Sequence, residues 1–265
     1  MPFTFSHPAA VLPIHSRFKK WIPLSALVIG SLVPDAAYYL PMPEHFKQNS
    51  HTLLGTFSSS LPVGIFFWLI FYWLAAPAVF LLPSPHRDAL QSKLKPAQVS
   101  IQQALVVALG IVFGAWSHVL WDSCTHAKGW VVRQTPLLRD PLFGNAILGY
   151  QVVQYLSTIL GLCVLLYAYD KWMKASGFRL WTWRGFCWRC HLWLGVVVTC
   201  LVAAIIESHT IHAIASASFL YNRHFGLVFL TGFARDMLIA LCTVSIGAKM
   251  LGLCSSHEPY LKTPP

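Results

Sequence analysis

His118 and Asp122 lie four residues apart in Ser117-His118-Val-Leu-Trp121-Asp122-Ser-Cys-Thr125-His126. On a helix this spacing stacks the two side chains one turn apart, about 6 Å along the axis, close enough for both to ligate one metal ion. His126 continues the spacing if the helix persists. Gly110 and Gly114 occupy the same four-residue row one and two turns earlier, where small residues let a neighbouring helix come close. The stripe is therefore expected to face other helices rather than lipid. Taken alone, the same residues also read as a polar helix end, with a carboxylate hydrogen-bonded to an imidazole and no metal.

Further residues of ligand type add to the pair. Asp35, in Ser31-Leu-Val-Pro34-Asp35, falls near the end of an apolar run, and a carboxylate at or below a membrane surface is costly enough to be a functional candidate by default. His51 falls where the next apolar run begins. His7 joins them if Pro8 to Phe18 form a short helix, capped by Ser6 and started by Pro8, that turns at Ser16 to Trp21 into a hairpin with the first span. Otherwise His7 belongs to a cytoplasmic tail. Glu207, His209 and His212 close the fifth apolar run, and Arg235 and Asp236 lie within the sixth. Arg235 either pairs with Asp236 or Glu207 or offers its guanidinium to an anionic substrate. The metal-ligand candidates are thus His7, Asp35, His51, His118 and Asp122, with His126, His209 and His212 behind them; Glu207 and Arg235 are the catalytic candidates.

Imidazole and carboxylate ligands without an evident cysteine suit zinc or another divalent transition ion. Such an ion lowers the pKa of a bound water and polarises a phosphoryl or carbonyl oxygen, so hydrolysis is the natural chemistry. A phospholipid or other lipid-linked phosphate ester is the expected substrate class at a membrane surface. The opposing class is a non-enzymatic transporter or assembly factor. Its polar residues would be spread through the depth of the spans, whereas here they gather at one end, with Gln151 and Gln154 near the same end of the fourth run.

The elements that must position these residues follow from composition. Of 265 residues, 56% are hydrophobic and 11% charged, against about 25% charged in an ordinary soluble domain. One soluble core could not hide that much apolar surface. An all-α membrane bundle of about six spans plus a short N-terminal helix is expected, as a single domain, with spans near 21–40, 53–82, 104–121, 147–169, 192–214 and 227–253. The net charge of +10 invites nucleic acid as a partner, but in such a chain basic residues serve as orientation signals instead. Thirteen Lys and Arg fall in the loops on one side and five on the other, which predicts both ends of the span array in the cytoplasm of a cell with an inner membrane. The candidate ligands then share the outward face, a placement the count did not use. Trp21, Trp121, Trp172, Trp181, Trp183, Trp188 and Trp193 lie near span ends, where an amphipathic indole prefers to sit.

Seven cysteines, an odd number scattered mostly through the spans, imply no disulfide framework. Cys187-Trp-Arg-Cys190-His191 matches the C-x-x-C-H of covalent haem attachment. Such attachment needs the outer face, whereas five basic residues around the motif place it inside. A chance pairing, labile zinc or redox thiols remain as readings.

The segments Pro2 to Ala10, Leu24 to Asp35, His51 to Gly55, Gly114 to His126 and Gln151 to Ser157 together resemble the bacterial multi-pass membrane family called domain of unknown function 4184. The resemblance covers most of residues 1–170. It implies a membrane bundle and no particular activity. More remotely, the order of His7, Asp35, His51 and the His118 and Asp122 pair is similar to that in inner-membrane metal-dependent hydrolases and in zinc-dependent phospholipases C. The later His-x3-Glu of the phospholipases has no match here.

Overall fold

The computed structural model describes residues 3–94, 100–142, 147–179, 187–215 and 221–253, without the side chains of 211–225 and 227. Trp181, Trp183 and the side chain of His212 lie outside that set. Among the described residues the helices are α1 (Pro8–Phe18), α2 (Leu24–Leu32, continued by a 3-10 turn Val33–Tyr38), α3 (Glu44–Asn49), α4 (Leu61–Leu81), α5 (His86–Gln91), α6 (Ile101–Thr125), α7 (Trp130–Gln134), α8 (Pro136–Arg139), α9 (Gly149–Ala175), α10 (Trp188–Ala215) and α11 (Tyr221–Met250). Two short antiparallel strands pair Pro141–Leu142 with Ile147–Leu148.

Five helical stretches, Thr56–Leu81, Ile101–Gln134, Gly149–Ala175, Trp188–Thr210 and Val228–Met250, are long and apolar enough to cross a membrane. The protein is a helical membrane protein. The first expected span, 21–40, is shorter than foreseen: Pro23 begins the helical stretch Leu24–Tyr38, and its last turn tightens to 3-10 around Pro34. Pro62 cannot donate back to residue 58, and the chain passes this point as a π turn, Thr56–Ser60, at the head of α4. On α9, Leu156, Ile159, Leu160, Leu166 and Tyr167 stand exposed, the surface that lipid would cover.

The chain divides into two compact units, the first of Met1–Ala37, Pro41–Ile70 and Ala97–Trp172, the second of Tyr38–Leu40, Phe71–Pro96 and Met173–Pro265. Two of its boundaries, after Ile70 and after Trp172, fall inside α4 and α9, each a continuous helix.

In the first unit α6 is the central helix, with 39% of its apolar stretch buried against 11–17% in the other four. Its partner is α2. A side chain at Gly30 would collide with the backbone of Ile111, and one at Gly114 with the backbone of Leu27 and Ser31. Only glycine lets these two backbones touch. The four-residue row of Gly110, Gly114, His118 and Asp122 is thereby turned inward. α1 folds back on α2 as a helical hairpin, closed by buried Val11, Ile22 and Leu27. The N-terminus is pinned by Phe3, whose backbone N–H donates to Thr158 Oγ1 at 3.1 Å.

In the second unit α10 and α11 pack together, and the start of α10 is tied to the end of α4. Arg189 Nε donates to the Phe80 carbonyl at 2.9 Å and Trp193 Nε1 to the Leu81 carbonyl at 3.0 Å.

Candidate metal centre

His118 is wholly buried, and its ring is oriented by the helix it packs against. Its Nδ1 lies 2.8 Å from the backbone carbonyl of Ser31, an acceptor only, so Nδ1 carries a proton and Nε2 faces the other way. There it meets two carboxylates, Asp122 Oδ2 at 3.2 Å and Asp35 Oδ1 at 3.5 Å. Nε2 nevertheless makes no hydrogen bond.

His51 completes the group. It sits in the turn after α3, where Ser60 Oγ donates to the Ser50 carbonyl at 3.4 Å and so ties the turn to the π segment. His51 Nε2 lies 3.1 Å from Asp35 Oδ1 and 3.7 Å from Asp122 Oδ2, and its Nδ1 is 3.1 Å from Ser50 Oγ. One ligand atom from each of Asp35, His51, His118 and Asp122 falls within 4.8 Å of the other three. Zinc bonds of about 2.0–2.1 Å in a tetrahedron place ligand atoms roughly 3.3 Å apart, so the short separations of 3.1–3.7 Å suit ligation of a common point.

The surrounding contacts hold the carboxylates in place. Thr4 Oγ1 donates to Asp35 Oδ2 at 2.6 Å, leaving Oδ1 to face the two imidazoles. Asp122 turns its other oxygen, Oδ1, toward His126 Nδ1 at 3.3 Å, His7 Nε2 at 3.6 Å and the Thr125 hydroxyl at 3.4 Å. His126 reaches this point although the helix ends at Thr125, since its backbone N–H still bonds back to the Asp122 carbonyl. His7 is buried with its ring stacked on His118, centroids 3.8 Å apart, and neither of its nitrogens has a hydrogen-bond partner. Burial first, and then the neighbouring His118, push its imidazole down to about 3, which keeps it neutral. The capping residue of α1 is His7 itself rather than Ser6, whose hydroxyl instead donates to the Phe3 carbonyl.

The structure thus brings together His7, Asp35, His51, His118, Asp122 and His126. Glu207 and Arg235 belong to the second unit and bind each other, Arg235 NH1 and NH2 reaching the two Glu207 oxygens at 3.1 and 2.7 Å while its Nε and NH2 reach Asp236 Oδ1 at 3.0 Å. Of the two roles open to Arg235, the structure displays the pairing. His209 is an exposed residue of α10 in the same unit. Sequence reasoning missed Thr4, Ser50 and the Ser31 carbonyl. Thr4 and Ser50 stand near His7 and His51 in the chain, but the carbonyl has no residue-type signal at all.

A helical membrane protein with a cluster of two aspartates and two histidines, buried except at His51, is what fold and geometry define. The chain belongs to the family described as domain of unknown function (DUF4184), whose model matches residues 1–246. No curated protein and no solved structure matches it.

Proposed function

We propose that Asp35, His51, His118 and Asp122 hold a divalent metal ion, zinc first among those this donor set suits, and that the protein is a hydrolase acting on a lipid or phosphate ester at the outer face of the membrane. The observation that carries this reading is His118. Its Nδ1 is committed to the Ser31 carbonyl, while its buried Nε2 faces two carboxylates without a hydrogen bond. A merely structural imidazole and carboxylate pair would be aligned, because an unmet buried polar atom costs about 1–3 kcal/mol. Two aspartates converging within one membrane bundle are costlier still unless a cation stands between them.

A divalent ion bound there would supply an activated water and an electrophile for a phosphoryl or carbonyl oxygen. The residues of this chain would do the rest. Ser31 and Thr4 orient the ligands from behind, and neutral His7, whose Nε2 lies 3.6 Å from Asp122 Oδ1, is placed to add a ligand. His51, 32% exposed, is the open side through which a substrate would enter. The outward placement rests on the distribution of Lys and Arg, thirteen against five.

The test is the metal content of the detergent-purified protein beside His118→Ala and Asp122→Ala, followed by hydrolysis of phospholipid and of a chromogenic phosphate diester. Stoichiometric metal in the wild type alone, with metal-dependent turnover, is expected. A wild type without stoichiometric metal overturns the reading.

A further inference from the structure

The Cys187-Trp-Arg-Cys190 motif lies in the second unit, apart in sequence from every residue of the metal cluster. Cys187 directly precedes α10, its carbonyl accepting from the backbone N–H groups of Cys190 and His191, and the sulfurs of Cys187 and Cys190 lie 3.4 Å apart. Both are only partly buried. The turn that carries them is anchored to the end of α4 and by a bond within itself. The Arg189 guanidinium is held by the Phe80 carbonyl and stands over the rings of Phe80 and Trp188, 4.8 and 4.4 Å from their centroids. Trp193 is bonded to the Leu81 carbonyl, and His191 Nδ1 lies 3.1 Å from the Cys187 carbonyl. The amide and thiol of Cys190, together with Arg189 close by, hold the Cys187 thiol below its ordinary pKa, as expected of a thiol at the positive end of a helix.

We propose that Cys187 and Cys190 form a redox-active dithiol, which a small-molecule disulfide converts reversibly to an intramolecular disulfide. In the first step the Cys187 thiolate attacks one sulfur of the small disulfide, breaking its S–S bond; a mixed disulfide forms and one small thiolate leaves. In the second, the Cys190 thiolate attacks the Cys187 sulfur and expels the other half as a second thiolate. The protein loses two electrons, the small disulfide gains them, and the two protons given up by the cysteines end on the two released thiols. Closing 3.4 Å to a disulfide bond of about 2.05 Å needs side-chain rotation rather than movement of the helix. An anchored first turn therefore favours the second attack over accumulation of the mixed disulfide.

Because Arg184 and Arg189 flank Cys187, trypsin separates the two cysteines, and an internal disulfide appears as peptide Gly185–Arg189 joined to the peptide that begins at Cys190. The full-length protein in detergent is equilibrated with glutathione and glutathione disulfide at a series of ratios, quenched with acid, alkylated and digested without reductant. The expected result is a joined peptide two hydrogens lighter than its two reduced parts, rising with the glutathione disulfide fraction and reversed by dithiothreitol. Cys187→Ser and Cys190→Ser should lack it, and Cys190→Ser should carry glutathione on Cys187. The proposal is overturned if the oxidised wild type carries glutathione on these cysteines without the joined peptide, or if either cysteine links to another chain instead.

Discussion

Each unit brings acidic and basic side chains together inside apolar helices, but the two clusters are built on opposite terms. In the second unit the Arg235 guanidinium takes both oxygens of Glu207 and one of Asp236, so one cation is hydrogen-bonded to both anions. In the first unit two carboxylates meet two imidazoles, yet the buried Nε2 of His118 and both nitrogens of His7 lack hydrogen bonds. Paired charges fasten helices. Of the four residues in the first cluster, only His51 and Asp35 are hydrogen-bonded to each other, at 3.1 Å, while one ligand atom from each of the four lies within 4.8 Å of the others, a group that could hold a metal ion.

Removing a ligand should break the comparison most severely. His118→Ala, Asp122→Ala and Asp35→Ala are each expected to reduce metal to background by inductively coupled plasma mass spectrometry. In contrast, Arg235→Met combined with Glu207→Leu and Asp236→Leu should leave metal unchanged, since replacing a hydrogen-bonded ionic cluster by apolar groups is tolerated. A triple variant that loses its metal would show that the second cluster also serves the site.

Next in size is removal of the metal itself. If the ion binds the folded state alone, chelation should lower the melting temperature of the wild type, by the equivalent of about 2.7 kcal/mol at a concentration one hundred times Kd. The His118→Ala protein should show no chelator effect. An equal shift in both would place the stabilising ion elsewhere.

Gly114→Val tests whether the α2 and α6 contact positions the ligands. Overpacking of this kind costs typically about 1–3 kcal/mol, and here it pushes the Ser31 carbonyl from His118. Lower thermal stability together with weaker metal binding is expected, measured by melting and by competition with a chelating dye. Unchanged affinity in a destabilised protein would separate the helix contact from the site.

The smallest effect should come from Thr4→Val, which removes the 2.6 Å hydrogen bond to Asp35 and leaves every ligand in place. Loss of such an outer partner typically costs about 10- to 100-fold in metal affinity. A titration that finds no change would mean that Asp35 is held by packing alone.

The local part of this arrangement was legible in the sequence. His118 and Asp122 are coupled by helical periodicity, and the glycines before them in the row announced a close neighbour. Asp35 and His51 stood out because a charge or imidazole at the edge of an apolar run has few structural reasons to be there. The N-terminal hairpin could be drawn from Pro8 and the turn near Ser16, but His7 on an isolated tail fitted the same letters. The tether on His118 was invisible, since a backbone carbonyl 87 residues away carries no signature of residue type. Arg235 was ambiguous for a related reason, as Glu207 is 28 residues distant and only the packing of α10 against α11 selects it.

Composition and periodicity by themselves determined that this chain is a helical membrane protein with scarce polar residues of ligand type, because burial of the backbone in lipid leaves few alternatives to helices. Which of those residues converge, which nitrogen of His118 is left facing the carboxylates, and which charges are spent on each other were decided only by the tertiary structure. Those outcomes depend on contacts between segments far apart in the chain, at distances that a difference of one ångström would undo.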